Sequence, residues 1–182
     1  LKVDLKKLIK DEFDNKPFHV IANLPYYITT PIIMQILESR LPVVSMTLMV
    51  QKEVADRMCA TCGSKEYGAL SVAVQYYTIP TIICRAEPHC FIPQPKVASS
   101  VVHLKVSATP TVTVSDEKKF FAIVKSSFGQ RRKTLLNALS KSPYFSANKD
   151  SVRSALVQMG VDENIRGEKL SISQFAKLSE LL

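Results

Sequence analysis

An asparagine, a proline and a tyrosine follow a short apolar run, and these residue types could hold a flat nitrogenous ring. The run, residues 18–22, is five residues long and is bounded by Pro17 and Asn23, which favours a buried strand over a helix. Asn23 offers an acceptor oxygen and Tyr26 offers a stacking face, while Pro25 stiffens the chain between them. We therefore interpret residues 23–31 as a ligand-binding loop at the carboxyl end of a strand, where open α/β sheets bind ligands. The alternative is a hairpin-like turn with buried tyrosines.

A helix is expected directly after this loop. Thr30 can cap its N-terminus, and Pro31 suits its first position because the N–H that proline lacks has no partner there. Tyr27 and the two threonines are interpreted as structural. An apolar stripe for this helix is supplied by Ile32, Ile33, Ile36 and Leu37.

The next segments alternate between strand and helix patterns, which is typical of an α/β fold. Residues 43–50 are nearly all apolar, as in a strand that helices cover on both faces. A strand is also expected near residues 78–85, starting just after Pro80 because proline cannot donate to a ladder. The other predicted elements are a helix from near Gln51, a mobile loop over 61–68, a helix over 69–77 and a strand over 101–106.

A Ser, Thr and Pro-rich stretch at 107–115 marks a domain boundary, and only helical patterns follow it. Ser171 and Gln174 form a capping box for the last helix. The predicted division is a first domain at 1–107, a linker at 108–115 and a helical domain at 116–182. The apolar faces of the later helices comprise Phe120, Phe121, Val124 and Phe128, then Leu135, Leu136 and Leu139, then Val152, Leu156 and Met159, then Phe175, Leu178 and Leu182.

The 182-residue chain carries a formal charge of +8, which indicates a polyanionic partner. The excess is concentrated between Glu117 and Asp150, where no acidic residue interrupts the basic ones. A basic run of this kind is also compatible with an ordinary solvated face. Its members are Lys118, Lys119, Lys125, Arg131, Arg132, Lys133, Lys141 and Lys149.

Cys59 and Cys62 have the spacing of half a zinc site, but the sequence has no second pair at metal-ligand spacing. We therefore predict no metal site. The four cysteines are expected to be reduced, because a chain that can bury a core of this size does not depend on disulfides.

Three motifs together resemble the ribosomal RNA adenine N6,N6-dimethyltransferases. The first is Asn-Leu-Pro-Tyr-Tyr-Ile-Thr-Thr-Pro-Ile from Asn23, and the others are Phe-Ile-Pro-Gln-Pro-Lys-Val from Phe91 and Phe-Gly-Gln-Arg-Arg-Lys-Thr-Leu from Phe128. They occur in the family's order and cover most of the chain. The resemblance implies an α/β fold: the C-terminal half of a Rossmann-like class I methyltransferase sheet, followed by a small helical RNA-binding domain.

The resemblance also implies a role for each motif residue. The Asn23 side chain and the Leu24 carbonyl would accept hydrogen bonds from the adenine amino group, Pro25 would orient that carbonyl, and Tyr26 and Phe91 would stack on the base. The alternative for Phe91 is a core position. Asn23 would also border the cofactor. RNA contacts are predicted for Lys96, with solvation as its alternative, and for Lys125, Arg131, Arg132 and Lys133, which we expect on a basic helix.

The implied methyl donor is S-adenosylmethionine. In the family, the glycine-rich loop that approaches this cofactor and the acidic residue that holds the cofactor's ribose lie upstream of the position of Leu1. This chain alone is therefore expected to bind the cofactor poorly and to be inactive. The implied substrate is two adjacent adenines near the 3′ end of small-subunit (16S) ribosomal RNA in an assembling subunit. The protein is expected to be cytoplasmic, not associated with a membrane and, at full length, monomeric.

Two other functions remain open at this point. One is a large-subunit ribosomal RNA adenine methyltransferase of the macrolide-resistance type, whose motifs tend toward Asn-Ile-Pro-Tyr. The other is a non-catalytic RNA-binding assembly or transcription factor on the same scaffold, which predicts loss of the asparagine or the tyrosine. This chain retains both, as Asn23 and Tyr26.

Overall fold

The computed structural model describes residues 3–182, so positions 1 and 2 of the predicted first domain lie outside the described residues. Helices and strands are interspersed up to residue 106, and only helices follow it. The elements are α1 (Leu5–Phe13), β1 (Phe18–Asn23), α2 (Thr29–Glu38), β2 (Val43–Gln51), α3 (Lys52–Met58), α4 (Ala69–Tyr77), β3 (Thr78–Ala86), β4 (Ser99–Val106), α5 (Glu117–Gly129), α6 (Leu135–Ser140), α7 (Lys149–Gln158) and α8 (Ile172–Leu181).

The four strands form one mixed sheet in the order β1-β2-β4-β3. β1 runs parallel to β2, whereas β4 is antiparallel to both β2 and β3. Asn23 lies level with Met49, and Ser99 is paired with both Gln51 and Ala86. The carboxyl ends of β1 and β2 and the start of β4 therefore meet at one edge of the sheet.

One face of this sheet carries the core. Met46 and Leu48 on β2 and Leu104 on β4 are at most 1% exposed. The opposite face is only partly covered within residues 3–182, because Ile21 is 84% exposed and Thr47 is half-buried. The expectations of a buried first strand and of helices on both faces of β2 are therefore wrong for the described residues. β1 is an edge strand of the described sheet. Because successive side chains of a strand point to opposite faces, every second residue of β1 lies on the exposed face.

Two element boundaries differ from prediction for local reasons. α2 begins at Thr29, with Ile28 at its N-cap, so Thr30 is not the cap and Pro31 is the third helical residue. Proline is tolerated there because the first four N–H groups of a helix have no intrahelical acceptor. Pro80 lies within β3 rather than before it, which is possible because β3 is the edge strand beside β4.

The structure divides into two compact units. The first comprises Leu1–Cys59 and Ala73–Thr111, and the second comprises Ala60–Val72 and Val112–Leu182. The division after Thr111 falls within the stretch predicted as a linker. The sequence did not indicate that residues 60–72 group with the helical unit.

The loop over residues 61–68 was expected to be mobile, but it is tied to the helical unit. Gly63 N donates to the Glu168 carbonyl at 2.9 Å, and the Tyr67 hydroxyl donates to the Leu170 carbonyl at 3.1 Å. Tyr67 is 1% exposed, and this burial raises the pKa of its phenol, with the Cys62 thiol contributing in the same direction. The phenol therefore stays protonated and remains a donor.

The helical unit buries most of the apolar side chains that its sequence predicts as helix faces, whereas Phe121, Phe128, Leu136, Met159 and Leu182 are half-buried. Ser171 and Gln174 form the predicted capping box at the start of α8, since each side chain accepts from the other residue's backbone N–H. Among residues 3–182, no helix combines the length and apolar character needed to cross a membrane. Fully buried side chains from α5, α6, α7 and α8 include Phe120, Ile123, Leu135, Leu139, Val152, Leu156, Phe175 and Leu178.

Candidate active site

A cavity of about 320 Å³ lies at the carboxyl end of β1. It brings together two segments that lie far apart in the chain and that the sequence singled out separately. Lys96, also predicted as a site residue, is exposed and does not line the cavity. The lining residues are Asn23, Leu24, Pro25, Tyr26, Phe91, Pro93 and Pro95.

Backbone and side-chain hydrogen bonds fix the shape of the first lining segment. Leu24 is buried, and its N–H donates to the Met49 carbonyl at 3.2 Å, which extends the β1–β2 ladder by one residue. The Pro25 carbonyl accepts from Ile28 N at 3.2 Å and from the Thr29 hydroxyl at 3.0 Å. This carbonyl is therefore engaged within the turn and is not available to a ligand.

Asn23 is the last residue of β1, and its side chain is exposed at the cavity. Its carboxamide forms no hydrogen bond with any protein group in residues 3–182. An amide carries both an acceptor oxygen and two N–H donors, so it can pair with the polar edge of a ligand. This arrangement is compatible with the acceptor role predicted for Asn23.

Tyr26 is held by a residue that the sequence did not single out. Its hydroxyl lies 2.7 Å from the Ser99 hydroxyl, and Ser99 is fully buried at the start of β4. The contact spans 73 positions in sequence, and a serine in a strand carries no local signal of such a role. Ser99 was therefore missed because its importance depends on the strand register.

Phe91 provides the second aromatic side chain of the cavity. It is half-buried rather than enclosed in the core, and its N–H donates to the Pro88 carbonyl at 3.2 Å in the turn before it. Pro93 and Pro95 also line the cavity and restrict the backbone after it. Phe91 therefore does not occupy a core position, which was the alternative for this residue.

The cavity has the chemistry of a site for a flat ring. Its lining among the described residues is mostly apolar, with aromatic rings from Tyr26 and Phe91 and one amide side chain. No carboxylate, histidine or cysteine belongs to this lining. Such a site can orient and polarise a bound ring by stacking and hydrogen bonding, and its lining has no strong acid or base for proton transfer.

The described residues do not fit a complete S-adenosylmethionine site. The fold type that binds such cofactors uses a glycine-rich turn after a strand. The four strands in residues 3–182 are followed by Leu24, Lys52, Glu87 and Ser107, so none runs into such a turn. Asn23 is the residue predicted to border the cofactor, and the strand ends add no other.

A second cavity in the sheet unit has a volume of about 480 Å³. It lies at the opposite end of the sheet, beside Pro17 and Val43 at the starts of β1 and β2. The Arg40 guanidinium lies 4.8 Å from the centre of the Tyr77 ring there. This second cavity is larger than the first, but none of the three motifs contributes a residue to its lining. We therefore take the first cavity as the candidate active site.

The basic motif in the helical unit lies on a turn rather than on the expected helix. α5 ends at Gly129, α6 starts at Leu135, and Lys133 N donates to the Gln130 carbonyl at 2.8 Å between them. Thr134 caps α6, because its side chain accepts from Asn137 N. Arg132 and Lys133 are exposed on this turn.

Arg131 differs from its two basic neighbours. Its Nη2 donates to the carbonyls of Lys65 and Tyr67 at 2.8 and 2.9 Å, and it lies 3.7 Å from a Glu168 carboxylate oxygen. The guanidinium therefore holds the 61–68 loop within the helical unit. Its predicted RNA contact would have to compete with these internal partners.

Lys125 has an aromatic partner in the same unit. Its Nζ lies 3.8 Å from the centre of the Tyr144 ring, a cation–π distance. Lys125 and Tyr144 are both exposed. A cation held over an exposed ring remains accessible to a phosphate.

Solved structures define the class of this fold. A dimethyladenosine transferase from Plasmodium falciparum is similar over 90% of this chain and 66% of its own, with a TM-score of 0.73 and 26% identity. The 23S rRNA methyltransferase ErmE is similar over 98% of this chain and 78% of its own, with a TM-score of 0.66 and 21% identity, which shows the fold alone. The sheet is thus of the Rossmann-like methyltransferase class, as predicted.

Sequence comparison gives the family. The model of the family described as ribosomal RNA adenine dimethylase matches residues 1–182. Ribosomal RNA small subunit methyltransferase A from Alkaliphilus oremlandii is 53% identical over 182 residues, and that from Clostridioides difficile is 52% identical over 182 residues. This chain covers 63% and 62% of the lengths of those two proteins. The chain belongs to the ribosomal RNA adenine dimethylase family, which confirms the resemblance.

The Tyr26–Ser99 contact predicts energetic coupling between the two residues. Tyr26→Phe and Ser99→Ala remove the same hydrogen bond, so each should lower the free energy of unfolding by about 1 kcal/mol, and the double variant should lose less than the sum. Denaturant unfolding measures all three values.

Tyr27→Phe provides the matched control, because Tyr27 is 88% exposed and adjacent in sequence. Combined with Ser99→Ala, it should give additive losses. Additivity in the Tyr26 cycle as well would show that the Tyr26–Ser99 hydrogen bond does not stabilise the loop.

Proposed function

We propose that this chain contributes the target-base pocket and a helical RNA-binding unit to an S-adenosylmethionine-dependent methyltransferase. The proposed reaction is N6,N6-dimethylation of two adjacent adenines near the 3′ end of small-subunit ribosomal RNA during subunit assembly. The cavity lined by Asn23, Tyr26 and Phe91 is the observation that carries this proposal. The proposal places the protein in the cytoplasm, as a monomer at full length.

The chemical difficulty lies in the exocyclic nitrogen of adenine, whose lone pair is delocalised into the ring. Hydrogen bonds from its amino hydrogens to the Asn23 side-chain oxygen and the Leu24 carbonyl would favour tetrahedral geometry at nitrogen. The lone pair would then be localised and directed out of the ring plane. S-adenosylmethionine supplies the methyl group in this proposal.

The aromatic side chains would hold the base in the orientation that these hydrogen bonds require. Tyr26, fixed through Ser99, would contact one face of the ring, and Phe91 would contact the other. The nitrogen becomes acidic once it is alkylated, so its proton can leave to water. The absence of a strong base from the described lining is compatible with this step.

The helical unit would contribute affinity for the RNA backbone. Arg132 and Lys133 are exposed on the turn after α5, and Lys125 lies on α5 itself. Phosphate contacts of this kind position an RNA without reading its sequence. In the sheet unit, Lys96 follows directly after the cavity-lining Pro95 and is exposed, so it is proposed to contact a phosphate close to the bound base.

The first prediction of this proposal concerns Asn23. In a protein of the relatives' full length that contains residues 1–182, Asn23→Ala should lower kcat for adenine methylation roughly 100- to 1,000-fold, because it removes an acceptor that matters mainly in the transition state. RNA affinity should change little. Asn164→Ala, at an exposed asparagine of the helical unit, serves as the control and should retain full activity. Near-normal turnover by Asn23→Ala would contradict the proposed role of this side chain, whereas a parent protein that binds RNA without methylating it would favour a non-catalytic RNA-binding function.

The second prediction separates the basic residues of the turn. Changing Arg132 and Lys133 together to Ala should weaken RNA binding and reduce the slope of log affinity against log salt by roughly 0.7 to 0.9 for each phosphate that is no longer neutralised. Arg131→Ala should instead increase hydrogen exchange in the 61–68 loop while leaving most of the slope unchanged, because its guanidinium binds carbonyls of that loop.

The control for the slope is Lys6→Ala with Lys7→Ala, which removes the same charge from exposed positions on α1. This pair should leave the slope near that of the parent protein. An unchanged slope in the Arg132 and Lys133 variant would show that RNA is bound elsewhere.

A further inference from the structure

Two large apolar side chains that adjoin in sequence the lining of the cavity at the carboxyl end of β1, here called the base pocket, are exposed. Tyr27 is 88% exposed, and Ile92 is 102% exposed. Tyr27 follows the cavity-lining Tyr26, and Ile92 lies between the cavity-lining Phe91 and Pro93. We call Tyr27 and Ile92 the pocket rim. Tyr27 was interpreted as structural from the sequence, but a side chain this exposed cannot serve the core.

Hydrogen bonds order the two backbone segments that carry the pocket rim. The Pro25 carbonyl accepts from Ile28 and Thr29, which closes the turn around Tyr27. On the other segment, Phe91 N donates to the Pro88 carbonyl directly before Ile92. The two apolar groups are therefore presented to solvent by ordered turns. Isolated exposed apolar residues are ordinary, so the significance of these two lies in their adjacency in sequence to the aromatic residues that line one pocket.

Exposed side chains of this kind can replace the stacking contacts that are lost when a base leaves its stack. An adenine that enters the pocket leaves its neighbours in the strand without a stacking partner. An aromatic ring can replace that partner whatever the neighbouring base is, because every base has a π-face. A branched apolar side chain can fill the space that the departed base leaves. The pocket rim provides one group of each kind.

We infer that the pocket rim binds the nucleotides next to the target adenine, with Tyr27 stacking on a neighbouring base and Ile92 filling the gap in the stack. This inference rests on the proposed function. It makes unpaired RNA the preferred substrate, since a neighbouring base in a duplex is also held by its pairing with the opposite strand and is less free to turn onto the Tyr27 ring. With two adjacent adenines, the one outside the pocket contacts the pocket rim while the other is bound.

The test pairs a change in the protein with a change in the RNA. The 182-residue chain is titrated with a short unpaired RNA carrying two adjacent adenines, and with a version that keeps one adenine between abasic sites. Tyr27→Ser should weaken binding to the intact RNA roughly 5- to 100-fold, as expected for loss of one base–aromatic stack. It should cause no further loss with the abasic RNA, because the base that Tyr27 contacts is already missing.

Two further readouts identify stacking as the cause. Tyr27→Phe should retain the affinity for intact RNA, since it keeps the ring. The salt dependence of binding by Tyr27→Ser should equal that of the parent chain, because no charge is removed.

Ile92→Ser should weaken binding to intact RNA, whereas the control Ile79→Ser should not. Ile79 is 59% exposed and lies level with Lys105, at the end of the sheet opposite Asn23.

Three results would overturn the inference. One is equal loss by Tyr27→Ser on intact and abasic RNA. Another is self-association of the parent chain in sedimentation that Tyr27→Ser abolishes, which would make the pocket rim a contact between copies. The third is unchanged affinity of Phe91→Ala for intact RNA, which would refute the base pocket itself. That result identifies a failure of the proposed function, whereas the first two leave the base pocket intact.

Discussion

The register of β1 against β2 is the constraint on which the candidate site depends. Asn23 lies level with Met49, and the next residue still donates to the Met49 carbonyl before the chain turns away. Because side chains alternate between faces, a slip of one residue would turn Asn23 to the other face and move Tyr26 away from Ser99. The half-buried side chains Val20 and Ala22 of β1 oppose such a slip, since it would turn them to the face on which Ile21 is 84% exposed.

Local patterns predicted the parts of the fold that local forces determine. α4 occupies the predicted residues, and the capping box of α8 forms as its spacing indicated. The start of α2 was predicted wrongly because Thr29 bonds back to Pro25 and draws two more residues into the helix. Pro80 was expected to delay β3, but a proline interrupts a strand only where its N–H is needed, and β3 is an edge strand.

The candidate site shows the same division between local and long-range information. Its motif residues could be proposed from their chemical types and from the resemblance, and the structure brings Tyr26 and Phe91 to one cavity. Ser99 could not be proposed, because a serine gains this role only from a strand register that joins distant segments. Arg131 and Arg132 are adjacent and chemically identical. Only the positions of the Lys65 and Tyr67 carbonyls distinguish an internal contact from a group available to RNA.

The central claim is that the cavity at the end of β1 binds adenine between two aromatic rings. Nuclear Overhauser effects between adenosine and the protein test it most directly. We expect contacts from the H2 and H8 protons of adenosine to ring protons of both Tyr26 and Phe91. Contacts instead to Tyr77, in the larger cavity at the opposite end of the sheet, would contradict the claim and place the nucleoside site there.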